Sequence, residues 1–260
     1  MSYPPDVHLL RDLAFSGTRS GDVSTNALAI TPGLRNGQGI RLGVLATLLD
    51  VSGAGIALHA IAPDWIATAD LQAHLIRAVP EGIVTVECRP LRVGARRVVV
   101  EAEMRDGGGA RCGTGRMAFA RIPGSATRAA VEDVADPETT GFTMDGGHPI
   151  VDAVTERCGM ELVGPGQIRF DKSPYVENSF GTVNGGVLAL AAEAAAVSAT
   201  GGGTARDLHI HYLEQIGAGP VGVTAEIIRD DDAGRLCAVR IEDRAEHRLV
   251  AIADVLVGSH

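Results

Sequence analysis

Two segments of the chain read alike, and this internal repeat constrains the fold more than any other feature. The segment RLGVLATLLD ends at Asp50, and the segment NGGVLALAAE ends at Glu193. Each has glycine among its first three residues and continues as a run of small and apolar residues that ends on one carboxylate. The likeness continues downstream, where residues 70–75 match residues 207–212. A repeat of this size predicts two copies of one small domain in tandem, not a solenoid of short units.

The order of the predicted elements is the same in both copies. A short amphipathic segment comes first, followed by a strand, a long apolar helix and several strands separated by turns. One helix and several antiparallel strands predict an α+β domain in which the sheet wraps around the helix. The helices predicted at residues 44–61 and 187–200 are apolar nearly all round, so sheet and partner helix should bury them. We therefore predict two such domains packed as a pseudo-dimer: residues 1–123, a linker over 124–147, and residues 148–260.

Composition excludes several functional classes. The net charge of −9 makes the chain a poor nucleic-acid binder. No stretch approaches roughly 20 uninterrupted apolar residues, and the first residues do not resemble a signal peptide, so we expect no membrane contact and a cytoplasmic location. The four cysteines are scattered, and the eight histidines lack the His-x-x-x-His and His-Glu-x-x-His spacings. We predict reduced thiols and no metal site, either structural or catalytic.

Each predicted helix carries one acid, Asp50 or Glu193. An ionised carboxylate inside an apolar helix is costly, so it must be paired, protonated or placed at a wet cleft. For each acid, structural pairing and a functional role both stay open at this point.

The start of the second helix favours a functional role. Unpaired N–H groups at a helix N-terminus stabilise negative charge, and glycine lets a ligand approach the backbone. The sequence Asn184-Gly185-Gly186 could hold the oxyanion that forms when a thioester or ester is attacked, although a tight turn would give the same sequence. Gly185 and Glu193 are eight residues apart, about 12 Å along one helix. A site that uses both features must therefore take its carboxylate from the other copy.

The motif of the second copy resembles a known family. It reads Asn178-Ser-Phe-Gly-Thr-Val-Asn184-Gly-Gly186, followed by Glu193 and then by residues 207–212. This is similar to the hotdog-fold acyl-CoA thioesterases of the phenylacetate-degradation (PaaI-like) type, which have Asn-x-x-Gly-x-x-His-Gly-Gly and an acid nine residues after the His. Asn184 stands in place of that His. The first copy matches more loosely, since Arg41 begins the segment Arg-Leu-Gly in place of His-Gly-Gly.

The resemblance implies an acyl-CoA thioesterase whose sites are shared between two hotdog units. One unit supplies the asparagine and the glycine at the helix start, and the other supplies the acid and a strand hydroxyl. The resemblance assigns five catalytic residues: Asp50, Thr68, Asn178, Asn184 and Gly185. A second site is implied by Glu193, Asn36 and Arg41, with Ala205 where the first site has Thr68. We assign substrate contacts to Gly186 and, for the coenzyme A phosphates, to Arg96 and Arg97.

Each assignment has a plainer alternative. Asparagine is a common turn and capping residue, the arginines suit a solvated hairpin, and Arg41 suits a surface ion pair. Asp50 could act as nucleophile or as general base. Coenzyme A is expected as part of the substrate, and no cofactor is expected. The resemblance to the family also implies that whole chains assemble into a dimer or trimer. A non-catalytic acyl-CoA binding protein is the main alternative function. A hotdog hydratase ranks third, since no Asp-x-Asn-x-x-His-like run is present.

Overall fold

The computed structural model describes residues 4–124, 140–144 and 147–258. The first unit contains two helices and eight strands: α1 Leu9–Leu13, β1 Ser16–Ser20, β2 Val23–Ala29, β3 Arg35–Asn36, β4 Gly39–Ile40, α2 Leu42–Ile61, β5 Trp65–Leu75, β6 Ile83–Val93, β7 Arg97–Asp106 and β8 Arg111–Ile122. Strand β9, Thr140–Thr143, follows. The second unit contains α3 Val154–Arg157, β10 Glu161–Gly164, β11 Gln167–Phe170, α4 Gly185–Ala199, β12 Thr204–Tyr212, β13 Val221–Asp231, β14 Gly234–Asp243 and β15 Arg248–Gly258.

One antiparallel sheet of 13 strands joins the units in the order β10-β11-β13-β14-β15-β12-β5-β8-β7-β6-β2-β1-β9. Apart from β9, this order is symmetric about its centre, because each strand of one unit lies as far from the β12–β5 pair as the equivalent strand of the other unit. The junction is the β12–β5 pair, where Asp207 lies opposite His74 and His211 opposite Asp70. The repeat in the sequence therefore becomes a pseudo-twofold axis that runs through this pair of strands.

Helices α2 and α4 lie against each other on the inner face of the sheet. Glycines at equivalent positions bring them close: a Cβ on Gly43 would lie 2.5 Å from the Leu190 Cα, and a Cβ on Gly186 would lie 2.5 Å from the Thr47 Cα. These pairs also show that the helices run antiparallel. The predicted α+β architecture of two hotdog units is confirmed.

Helix α2 has a property that we did not anticipate from the sequence. It is 20 residues long with a mean hydropathy of 1.7, so by length and composition alone it could cross a membrane. Here it is the core helix of the first unit, packed against the sheet and α4, and most of it is buried.

The segments outside the repeat tie the two units together. The buried Asp12 of α1 accepts hydrogen bonds from the Tyr175 hydroxyl at 2.8 Å and the His148 N–H at 2.8 Å, and it pairs with Arg157. Within the predicted linker, Thr140–Thr143 pairs with β1 at the edge of the sheet. Residues 125–139 and 145–146 of that linker lie outside the described residues, and the domain boundaries stay a prediction.

Candidate active site

The N-terminus of α4 leaves one backbone donor without an acceptor. Asn184 is the N-cap, and its Oδ1 accepts the Gly186 N–H at 2.8 Å. Among the described residues, the Gly185 N–H donates to no acceptor. Such a donor at a helix start is the usual place for an anion or a polarised carbonyl oxygen.

Asp50 of α2 lies beside this donor, although it belongs to the other unit. A Cβ built on Gly185 would be 3.1 Å from Asp50 Oδ2. The other carboxylate oxygen, Oδ1, accepts a hydrogen bond from the Thr68 hydroxyl at 2.7 Å. Thr68 therefore fixes one oxygen of the carboxylate, and the second oxygen faces the start of α4.

Burial makes the Asp50 carboxyl a weaker acid than an exposed aspartate. Asp50 is 7% exposed, and loss of solvent raises its pKa from 3.8 to about 6. The hydrogen bonds from Thr68 and from the Gly186 N–H act in the opposite direction, since they stabilise the charged form and lower the pKa. A group with this pKa is mostly ionised at neutral pH, yet it lies close enough to neutrality to exchange protons there.

Tyr212 is a site residue to which the sequence analysis gave no role. Its hydroxyl donates to the Gly185 carbonyl at 2.8 Å, and its ring would lie 3.3 Å from a Cβ on Gly185. Burial and the nearby charges of Asp50 and Asp70 raise its pKa well above 10, so the phenol keeps its proton. The sequence signal was present, since Tyr212 ends the motif at residues 207–212.

The equivalent place in the other half of the molecule is closed by Glu193. Its Oε1 accepts the Leu42 N–H at 3.2 Å, and its Oε2 accepts the Gly43 N–H at 3.2 Å. Arg41 pairs with the same Oε2 at 3.3 Å. Arg41, the N-cap of α2, has no side-chain capping bond of its own, so Glu193 caps this helix from across the interface. The side chain of Arg41 is 11% exposed, so this is a mostly buried pair and not the surface ion pair considered above.

The remaining asparagines use their amides elsewhere. The Asn178 Oδ1 accepts the Phe180 and Thr182 N–H groups at 2.9 and 3.2 Å, and its Nδ2 donates to the Thr182 hydroxyl. Asn178 thus holds together the loop that precedes α4. The Asn36 Nδ2 donates to the Gly203 carbonyl of the other unit at 3.0 Å. Direct substrate contacts by Asn178 or Asn184, and by Gly186, whose N–H is already engaged, stay predictions.

Two aromatic rings meet across the units near the start of α4. Trp65 begins the strand that carries Thr68, and Phe180 lies in the loop that leads to Gly185. The ring centroids are 5.2 Å apart with an edge-to-face angle of 82°, and Phe180 is 40% exposed. Low aromatic content gave no hint of this contact, because it forms only when the two units pack.

Arg96 and Arg97 lie at the same end of the sheet as Thr68. Arg97 pairs with Ala120, one row from the Thr68–Phe119 pair of the adjoining strands. Two strand spacings place the Arg97 backbone about 10 Å from β5. Both arginines are exposed, and neither forms an ion pair with another described residue.

Comparisons with known proteins agree with the division into two similar units. The profile of the thioesterase superfamily matches residues 42–113, and the profile of the acyl-CoA thioesterase N-terminal domain matches residues 176–257. Together the two matches span more than half of the chain, one in each unit. No curated protein matches in sequence.

Several solved structures are similar over most of their length. A provisionally assigned thioesterase II from Thermobifida fusca is 21% identical with a TM-score of 0.57, covering 90% of this chain and 92% of its own. An acyl-ACP thioesterase from Bacteroides thetaiotaomicron is 13% identical with a TM-score of 0.61 and coverages of 90% and 97%. A provisionally assigned oleoyl thioesterase from Lactobacillus plantarum is 12% identical with a TM-score of 0.63 and coverages of 96% and 100%. At these identities the structural likeness shows the shared fold.

Proposed function

Because the chain belongs to the thioesterase superfamily and is a thioester hydrolase of two tandem hotdog units, we propose that it hydrolyses acyl-CoA at a single site between those units. The observation that carries this proposal is the closeness of Asp50 Oδ2 of the first unit to Gly185 of the second, whose N–H has no acceptor among the described residues. A thioester carbonyl placed between them would meet a donor at its oxygen and a carboxylate near its carbon.

The donor and the acid have complementary roles in this proposal. The Gly185 N–H donates a hydrogen bond to the carbonyl oxygen and stabilises the negative charge that develops there, assisted by the dipole of α4. Asp50 either attacks the carbonyl carbon, forming an anhydride that water then cleaves, or removes a proton from an attacking water. By either route the C–S bond breaks, one water molecule is consumed, the acyl group leaves as the free acid, and a proton passes to the coenzyme A sulfur.

Three residues support this pair without forming bonds to the reacting atoms. Thr68 holds Asp50 Oδ1 so that Oδ2 points towards the thioester. Tyr212 holds the Gly185 carbonyl and thereby the peptide next to the donor. Asn184 takes the Gly186 N–H, which leaves the Gly185 N–H for substrate.

The second composite site is proposed to be inactive. Its two helix-start donors and its arginine are all engaged by Glu193, which is 1% exposed. A thioester carbonyl could reach those donors only if it displaced a buried ion pair, and breaking such a pair costs about 3–5 kcal/mol.

Coenzyme A is the proposed leaving group because of the charge near the active site. Arg96 and Arg97, which have no ion-pair partner in the described part of the chain, offer guanidinium groups to phosphates at the sheet end that carries Thr68. The corresponding turn of the second unit carries the acidic run Asp230-Asp231-Asp232, which would repel phosphates. We also propose a cytoplasmic location, which suits four buried free cysteines, and assembly of whole chains into a dimer or trimer.

Steady-state hydrolysis of acyl-CoA esters of graded chain length tests this proposal. The thiol released by wild-type protein, Asp50→Ala and Glu193→Gln would be followed with a thiol reagent. We expect turnover in wild type, loss of at least about 10²-fold in Asp50→Ala, and retention in those Glu193→Gln molecules that stay folded. Saturable binding of every ester without turnover would instead favour the ligand-binding alternative.

The same assay tests the coenzyme A assignment. The double variant Arg96→Ala/Arg97→Ala should raise KM for an acyl-CoA by about tenfold, whereas KM for the matching acyl-pantetheine, which lacks the nucleotide phosphates, should not change. Equal effects on both substrates would argue against phosphate recognition by these arginines.

A further inference from the structure

Three potential metal ligands converge on the outer face of the sheet, the face opposite to the one on which Thr68 reaches Asp50. The Asp70 Oδ2 lies 2.8 Å from the His209 Nε2 and 2.8 Å from the His211 Nδ1. One ligand atom from each of the three residues lies within 4.8 Å of the others. The trio joins the two units, since Asp70 is on β5 and both histidines are on β12.

The backbone holds this trio in place. His209 and His211 are two residues apart on a strand, so they project from the same face. Their ring centroids are 4.2 Å apart and the rings are tilted by 52°, so the nitrogens can point to a common place. Strand β12 is hydrogen-bonded on both sides, to β15 and to β5, so its backbone is fixed from both neighbours.

A shift in the register of β5 brings Asp70 to this face. The pairing of β5 with β8 is irregular between Thr68 and Asp70, where Ala69 is an extra residue. Regular alternation would place Thr68 and Asp70 on one face, but the bulge breaks it. Thr68 thus reaches Asp50 inside, and Asp70 reaches the histidines outside.

We infer that Asp70, His209 and His211 form a binding site for a divalent transition-metal ion such as Zn²⁺. Two imidazole nitrogens and one carboxylate oxygen suit zinc and its neighbours better than Mg²⁺ or Ca²⁺, which prefer oxygen ligands. Three protein ligands with water at the remaining position form a common coordination set for zinc. The three side chains are 24–46% exposed, so an ion and its water could enter from solvent.

The fit requires the side chains to adjust, since the three ligand atoms now lie within 4.8 Å of one another. Ligand atoms about 2.0–2.1 Å from a tetrahedral ion lie about 3.3 Å from one another. The carboxylate would therefore move back by about half an ångström from its present hydrogen-bonding distance to both rings. This inference departs from the prediction of no metal site. That prediction rested on the histidine spacings that suit a helix, whereas these two histidines are in a His-x-His segment of a strand and face an acid of the other unit.

The pseudo-twofold axis supplies an internal control. The mirrored cluster consists of Asp207, His74 and Gln72, with the His74 Nδ1 2.6 Å from the Asp207 Oδ1. Gln72 stands where the first cluster has His209, and an amide is a poor ligand for zinc. Only one of the two otherwise equivalent clusters therefore has two imidazoles.

Zinc titration of the untagged full chain, stripped with EDTA and freed of chelator, tests the inference. Isothermal titration calorimetry should give one Zn²⁺ per chain, and His209→Ala, His211→Ala and Asp70→Asn should each weaken binding by at least about tenfold. His74→Ala, the mirrored variant, should bind as wild type does. Zn²⁺ should also raise the thermal midpoint of wild type and of His74→Ala, but not that of His211→Ala.

Other outcomes would overturn the site. Absence of saturable zinc binding in wild type, affinity unchanged by His209→Ala and His211→Ala, or equal losses in His74→Ala and His211→Ala would each show that the trio is only a hydrogen-bonded surface cluster. None of these readouts depends on thioester hydrolysis, so the metal site and the proposed function can fail separately.

Discussion

Replacement of Asp50 by asparagine should stabilise the protein while it abolishes most of its activity. Asparagine has nearly the same shape as aspartate, and its amide oxygen can still accept the hydrogen bond from Thr68. It lacks the charge, which burial makes costly at this position, and it has one acceptor oxygen where Asp50 has two to meet Thr68 and the Gly186 N–H. The activity should fall by about 10³-fold, because the group that attacks or activates water is gone.

The size of the stability gain follows from the pKa of Asp50. In the unfolded chain the carboxyl titrates near 3.8, and in the folded chain near 6, so the folded state holds its proton to higher pH. Stability contributed by this proton is fully present below pH 3.8 and is lost as the pH rises through about 6. The raised pKa of Asp50 thus lowers the free energy of unfolding by about 3 kcal/mol at pH 8, and by about 1 kcal/mol at pH 4.5, where the carboxyl is mostly protonated in the folded state and mostly ionised in the unfolded state.

Urea unfolding of wild type and Asp50→Asn at these two pH values measures the effect. We expect the variant to be more stable by up to about 3 kcal/mol at pH 8 and by clearly less at pH 4.5. The matched control is Glu193→Gln at the equivalent helix position. Glu193 caps α2 and pairs with Arg41, so its loss should destabilise the protein by about 3 kcal/mol. If Asp50→Asn is no more stable than wild type at pH 8, the buried charge of Asp50 does not lower the free energy of unfolding.

Three further variants probe the same site. Gly185→Ala adds a Cβ 3.1 Å from Asp50 Oδ2 and should lower kcat/KM for thioester hydrolysis by about 10²-fold. An unchanged kcat/KM would mean that no substrate atom passes between these residues. Thr68→Val removes a bond that lowers the pKa of Asp50, so the acid limb of the kcat/KM profile should move to higher pH, whereas Thr68→Ser should leave it near pH 6. Tyr212→Phe removes the bond to the Gly185 carbonyl and should lower the free energy of unfolding in urea by about 1 kcal/mol; a loss near zero would show that the bond contributes nothing.

The elements of the fold were predictable because both copies carry the same local signals. Turn sequences such as 106–109 and 230–234 bound the strands, and the two apolar helices have only one acid each. The pseudo-dimer followed from the same repeat, since each helix needed a partner to bury its second face. The strand Thr140–Thr143 was missed because the acidic composition around it indicated a linker.

The site was only partly predictable, because its asymmetry depends on short distances between units. Asp50 and Glu193 occupy equivalent positions and differ by one methylene group. The longer side chain reaches both N–H groups at the start of α2. Asp50 does not bond the Gly185 N–H, which has no acceptor within the described ranges of the chain. The two side chains differ in length by about 1.5 Å, and no sequence pattern predicts which backbone groups such a difference brings within hydrogen-bonding distance.

The outer cluster was missed for a related reason. The bulge at Ala69 decides which face receives Asp70, and bulges leave no clear mark in the sequence. The partners of Asp70 also lie about 140 residues away in the other unit, so they meet only through the β5–β12 junction.

A crystal structure of Asp50→Asn with a non-hydrolysable acyl-CoA analogue tests the central claim most directly. We predict one analogue per chain, with its carbonyl oxygen about 3 Å from the Gly185 nitrogen, the substituted amide side chain beside the carbonyl carbon, and the start of α2 still closed by Glu193. An analogue bound at the start of α2, or a carbonyl that points away from Gly185, would contradict the single shared site.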